Sequence, residues 1–148
     1  MTFIALRITV PLTDSGAPMV SERRKKVLIV DDEAIMISVL QRHVSNAGYE
    51  YTSASNGQEA LEKIEREHPD LVLLDLMMPG MNGFQTCRCI RENEKTKKLP
   101  VIIVTALRSE SDSDSAAASG ANEIMVKPVD GSHLAQRLRH YLGSPFKV

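Results

Sequence analysis

The 148-residue sequence has no apolar run of about 18 residues, so no segment reads as a helix able to cross a bilayer. It has little cysteine. Cys87 and Cys89 lie two apart in a helical stretch and so point about 200° apart around the axis. That spacing suits neither a metal site nor an internal disulfide, and it agrees with a reducing cytosol. An excess of positive charge is missing too. The net charge is −1, divided as +3 over residues 1–26 and −4 over the remainder, which makes the folded part a poor nucleic-acid binder. Arg23, Arg24, Lys25 and Lys26 form a short basic cluster that reads as the solvated flank of a strand. The amino-terminal stretch lacks a basic segment before its apolar part and a small-residue cleavage site, so it is not read as a secretory signal. No glycine-rich loop follows the first apolar run, which excludes a Walker P-loop and a dinucleotide fingerprint.

What is present is 43% hydrophobic and 25% charged residues, ordinary for one globular domain with a single sizeable core. Residues 1–22, with Pro11, Gly16 and Pro18, read as a flexible extension. Val27-Leu28-Ile29-Val30 reads as a buried strand ending in Asp31-Asp32-Glu33. Ile35, Ile37, Val39, Leu40 and Val44 recur near helical spacing, and Ala47-Gly48 closes that helix. Tyr49 to Ala54 is a second strand, and a helix over residues 58–67 carries Ala60, Leu61 and Ile64 as its stripe. The third strand is the unbroken apolar run Leu71-Val72-Leu73-Leu74, which leads into Asp75 and the Pro79-Gly80 turn. Phe84, Cys87 and Ile90 mark a third helix. Val101-Ile102-Ile103-Val104 is a fourth strand ending in Thr105. Ser109 to Gly120 has almost no apolar stripe and is expected to be a loosely held helix. Ile124-Met125-Val126 is the fifth strand, ending in Lys127-Pro128, and Leu134, Leu138 and Tyr141-Leu142 mark a last helix. Residues 144–148 read as a short tail.

Five strands alternating with helices imply an α/β protein with a parallel sheet and right-handed crossovers. Asp31-Asp32, Asp75, Thr105 and Lys127 then share one sheet edge, because parallel strands have a common carboxyl end. Taken singly, Asp31 or Asp32 is also a helix cap, Asp75 a turn residue, Thr105 a strand terminus and Lys127 a surface lysine. Together they bring three carboxylates, a hydroxyl and an ammonium into one crevice. Crowded carboxylates favour a hard divalent cation with oxygen ligands, and Lys127 and Thr105 suit phosphate oxygens. The chemistry that fits is phosphoryl transfer onto a side-chain carboxylate, giving an aspartyl phosphate.

The segments VLIVDDE, LVLLDLMMPGMNGF, VIIVTA and EIMVKP, in this order, resemble the receiver domains of two-component response regulators. The resemblance covers about residues 25 to 143, and the domain is delimited as 23–143. It implies a doubly wound, flavodoxin-like five-stranded sheet of order 2-1-3-4-5 with helices on both faces. It also implies that Asp75 is the phosphoacceptor, that Asp32 and Asp75 bind Mg²⁺, with Mn²⁺ as an alternative, and that Asp31 contributes through water. The Met77 backbone carbonyl is then a further metal ligand, Thr105 and Lys127 bind phosphoryl oxygens, and the Lys127-Pro128 bond is cis. The implied partners are a histidine kinase or histidine phosphotransfer protein and a downstream protein effector. Direct nucleic-acid binding and a membrane span are not expected, and a cytoplasmic monomer or weak dimer is.

Three departures from the family pattern stand out. Many receivers carry Tyr or Phe three residues before the lysine, where this chain has Ile124, so the coupling of phosphate to the output face is expected to differ. Val129 stands where Phe is common. Met77 and Leu107, which flank the phosphoryl site in the family, are both apolar, and a long-lived phosphoryl group is expected. With the last helix close to the end of the sequence, output through a protein partner is expected, unless the chain is a receiver cut from a larger regulator or hybrid kinase. A scaffold that is never phosphorylated is the other alternative. A phosphatase of the haloacid-dehalogenase type needs a second Asp two positions beyond the nucleophile, where this chain has Met77. A flavodoxin-type nucleotide module needs a phosphate-cradling loop where Asp31-Asp32-Glu33 stand.

Overall fold

The computed structural model describes residues 24–106 and 110–146. The expected extension over residues 1–22 and Leu107 lie outside these. Among the described residues, strands and helices alternate as β1 (Lys26–Val30), α1 (Ala34–Asn46), β2 (Glu50–Ala54), α2 (Gly57–Glu67) and β3 (Leu71–Leu74). They continue as α3 (Gly83–Glu92), β4 (Val101–Thr105), α4 (Glu110–Ala118), β5 (Glu123–Val126) and α5 (Gly131–Leu142). All strand pairs are parallel and the order is β2-β1-β3-β4-β5, the flavodoxin-like arrangement expected. Lys127-Pro128 is cis, as the resemblance implied.

The lack of polar alternation in the central strands β1, β3 and β4 follows from burial on both faces. Val27, Ile29, Leu71, Leu73, Ile102 and Val104 face one layer with Leu40 and Val44 of α1 and Leu134, Leu138 and Leu142 of α5. Leu28, Val30, Val72 and Leu74 face the opposite layer, with Ala60 and Ile64 of α2 and Cys87 and Ile90 of α3. A third cluster joins Leu76, Ile103 and Ala116, with Phe84, Ala121 and Ile124 packed against it. Asn56 and Asp130 cap α2 and α5 by accepting backbone N–H groups, and Asn82 and Gln85 form a capping box on α3.

The inward stripe of α1 differs from the sequence expectation. Met36, Ile37, Leu40 and Val44 pack on the sheet, whereas Ile35 is 80% exposed and Val39 is also exposed. Several apolar residues in this helix satisfy helical spacing at once, and the packing against β1 and α5 selects the register.

α4 is anchored sparsely, by buried Ala116 and by Ser119 just beyond it, whose hydroxyl donates to the Ala116 carbonyl at 2.6 Å. The Arg91 guanidinium ties down its carboxyl end. It donates to Gly120 O at 2.7 Å, Leu99 O at 2.7 Å, Lys97 O at 3.2 Å and Asn122 Oδ1 at 2.7 Å. At the amino edge of the sheet, Arg24 and Phe146 form an antiparallel bridge, with the Arg24 guanidinium 5.4 Å from the Phe146 ring centre. Lys25 N donates to Pro145 O, Lys25 Nζ to Leu142 O, and the Tyr49 hydroxyl to Gly143 O at 2.7 Å. Part of what reads as a tail therefore closes that edge.

Candidate functional site

The opposite edge, where the strands end, holds the polar residues. Asp31 and Asp75 each extend a strand by one rung, since Asp31 N donates to Ala54 O at 3.1 Å and Asp75 N to Val30 O at 3.0 Å. Their side chains therefore start from fixed backbone in neighbouring strands. Lys127 is held in the same way, its N–H donating to Thr105 O at 2.9 Å. One oxygen from each of Asp31, Asp32 and Asp75 lies within 4.8 Å of the others. Asp31 and Asp75 are buried and Asp32 is exposed, so the cluster opens to solvent on the Asp32 side.

Lys127 Nζ lies 3.0 Å from Asp31 Oδ2, 3.8 Å from Asp75 Oδ1 and 3.9 Å from Glu33 Oε1. Asp31 spends its other oxygen on the Glu33 N–H at 2.9 Å, and Asp75 Oδ1 accepts from the Met77 N–H at 3.4 Å. Burial is the main cause that raises the Asp75 carboxyl to about 6, followed by the Asp31 charge; Lys127 and the Met77 N–H offset part of it. Burial pulls the Lys127 ammonium down, but its bond to Asp31 and the charges of Asp75, Asp31 and Glu33 outweigh that and hold it above its ordinary range.

The structure thus clusters Asp31, Asp32 and Asp75 and sets Lys127 against Asp31 and Asp75. Thr105 is buried at the end of β4, paired in register with Val126 and joined by backbone to Lys127. Met77 follows Asp75 with 70% of its surface exposed. Two residues escape a reading by sequence type. Glu33 joins the Lys127 environment, which only the fold reveals. Gly83 backs the loop from behind: a Cβ there would stand 2.4 Å from Asp75 O and 2.7 Å from Leu76 Cα. The glycine within MNGF was the available signal for such a close approach.

A cluster of hard carboxylate oxygens has the donor chemistry of a Mg²⁺ site. An anchored ammonium beside it is suited to an anionic oxygen. Ile35, Met77 and Val126 are exposed apolar residues, each close in sequence to Asp31, Asp75 or Lys127. A hollow of about 560 Å³ between α2 and α3, lined by Leu61, Ile64, His68, Cys89 and Ile90 among others, shares no residue with this crevice.

Residues 27–139 match the response regulator receiver domain. The chain is 40% identical over 120 residues to the probable transcriptional regulator ycf27 of Porphyridium aerugineum, a match that covers 81% of this chain and 49% of the relative. It spans about half or less of the length of the curated relatives it matches. Among solved structures, a putative response regulator from Chloroflexus aurantiacus is 32% identical, with a TM-score of 0.78, covering 82% of this chain and all of that one. The receiver domain of a sensor histidine kinase from Pseudomonas aeruginosa PAO1, with magnesium coordinated in its active-site cleft, is 27% identical, with a TM-score of 0.76. That match covers 82% of this chain and 99% of the other.

Proposed function

The chain belongs to the response regulator receiver domain family, and from that premise we propose that it accepts a phosphoryl group on Asp75 from a histidine kinase or histidine phosphotransfer protein. The observation that carries this reading is a buried Asp75 within a three-carboxylate cluster, 3.8 Å from an anchored Lys127. Asp32 and Asp75 would hold Mg²⁺ directly, with Asp31 acting through water and Met77 through its backbone carbonyl. When bound, the cation supplies positive charge that offsets the carboxylates and the donor's phosphoryl oxygens.

Asp75 attacks the phosphorus in line. The new P–O bond forms as the donor's P–N bond breaks, and the imidazole leaves with the electron pair and a proton. Lys127 neutralises charge on the phosphoryl oxygens as it swings from the carboxylates to the incoming group. Thr105 donates its hydroxyl to the same oxygens and, by moving towards them, biases the face built from α4, β5 and α5. Sparse anchoring suits α4 to a surface whose affinity for a protein effector must change. Exposed Ile35, Met77 and Val126, near the site residues in sequence, favour a protein donor over a small one, because only a protein brings apolar surface to cover them. The receiver unit is taken as residues 23–143, acting in the cytoplasm.

The experiment is intact mass after incubation with acetyl phosphate and Mg²⁺, on the wild type and on Asp75→Asn, with and without chelator. A Mg²⁺-dependent gain of one phosphoryl group in the wild type alone is expected. No gain from acetyl phosphate or from a phosphorylated histidine donor would overturn the reading in favour of a non-phosphorylated scaffold.

A further inference from the structure

Glu33 stands at the N-cap of α1, yet its side chain makes no capping bond to the helix. Its backbone N–H is held by Asp31, and its carboxylate lies 3.9 Å from Lys127 Nζ, with 68% of the side chain exposed. It therefore hangs over the mouth of the crevice on a fixed backbone. Lys127 does not depend on it for position, since Asp31 already holds the ammonium at 3.0 Å. What Glu33 adds is one more negative charge at the rim, directed at the cation that an incoming phosphoryl group has to engage.

Resting on the phosphotransfer reading, we infer that Glu33 is a specificity-determining residue that holds back free, doubly charged phosphodonors relative to donors of lower charge. Two effects act in the same direction. The carboxylate competes with the phosphoryl oxygens for Lys127, and it repels the donor as it enters. A phosphoryl group in contact with Lys127 sits about 6 Å from Glu33, and at water-like dielectric the repulsion slows capture about tenfold for a dianion and about threefold for a monoanion. A protein donor offsets this penalty with apolar contact at Ile35, Met77 and Val126, an offset that a free small molecule lacks. The residue thus biases the site towards protein-borne phosphoryl groups.

Two small donors of different charge test the inference. Acetyl phosphate is dianionic near neutral pH; its P–O bond breaks and acetate leaves with the electron pair. Phosphoramidate carries one net negative charge; its P–N bond breaks and ammonia leaves, its nitrogen already protonated. Phosphorylation rates of the wild type, Glu33→Gln and Glu33→Asp are measured with each donor in Mg²⁺. At about 10 mM ionic strength, Glu33→Gln is expected to react about tenfold faster with acetyl phosphate and about threefold faster with phosphoramidate, and both gains should vanish near 1 M salt. Glu33→Asp keeps the charge and should stay near the wild type. Equal rates for the wild type and Glu33→Gln, a gain of the same size with both donors, or a slower variant would each overturn the assignment while leaving the phosphotransfer reading intact. If no protein is phosphorylated by either donor or by a phosphorylated histidine donor, both fall.

Discussion

Replacing Asp75 with Asn should make the metal-free protein more stable, although it removes the residue on which the proposed chemistry depends. In the folded state burial and the Asp31 charge raise the Asp75 carboxyl from 3.8 to about 6. The unfolded chain therefore ionises first. Between about pH 4 and pH 6 the folded protein keeps a proton that the unfolded one has lost, so stability falls as pH rises through that window and stays low above it. A rise of about two units corresponds to about 3 kcal/mol at 1.36 kcal/mol per unit, and Asn mimics the neutral form. Urea unfolding in chelator at about pH 7.5 should show Asp75→Asn more stable by about 3 kcal/mol, or about 10 °C in melting temperature for a domain of this size. At about pH 4.5 the wild-type carboxyl is mostly protonated when folded, and the difference should shrink to about 1 kcal/mol. Saturating Mg²⁺ should stabilise the wild type far more than the variant. A variant no more stable than the wild type at the higher pH, or a difference that does not shrink in acid, would refute this account of the buried carboxyl.

Gly83→Ala should cost about 1–3 kcal/mol and slow phosphorylation of Asp75, because its methyl group must displace the Asp75 carbonyl 2.4 Å away; urea unfolding beside the acetyl phosphate assay reads both. Arg91→Ala should cost about 2–4 kcal/mol by releasing four acceptors, and should speed amide exchange at the carboxyl end of α4 more than in β1 or β3, as hydrogen-exchange mass spectrometry would register. Once formed, the aspartyl phosphate is expected to outlast the seconds scale, since exposed Met77 offers no group to orient water; a half-life of seconds in the purified protein would contradict this.

The sheet was legible because its central strands β1, β3 and β4 are buried on both faces, and unbroken runs such as Leu71 to Leu74 have few other uses. The strand-end residues were legible through a topological argument that needs only parallel direction, not side-chain detail. Distances were not. That Lys127 rests against Asp31 more closely than against Asp75, and that Glu33 joins it, depends on the depth of each side chain below the strand ends. The facing of α1 escaped because Ile35, Met36, Ile37, Val39 and Leu40 offer more apolar positions than one stripe can hold. The Arg91 brace escaped for a different reason. Its acceptors are mostly backbone carbonyls, up to 29 residues away, and any residue type carries those.

The bridge between Arg24 and Phe146 also bears on how the chain can be rewired. The two ends of the described fold meet side by side, so a short linker could join them and new termini could be opened in an exposed turn without moving any strand. The seam lies a full strand length, roughly 17 Å, from the carboxylates. Passenger proteins grafted there would not crowd a docking donor. They would sit instead against the last turn of α5, where Leu142 O meets Lys25, and any rotation of that helix would be passed to them as a change in mutual orientation. A pair of fluorophores at the seam would then report on the crevice from the far side of the molecule.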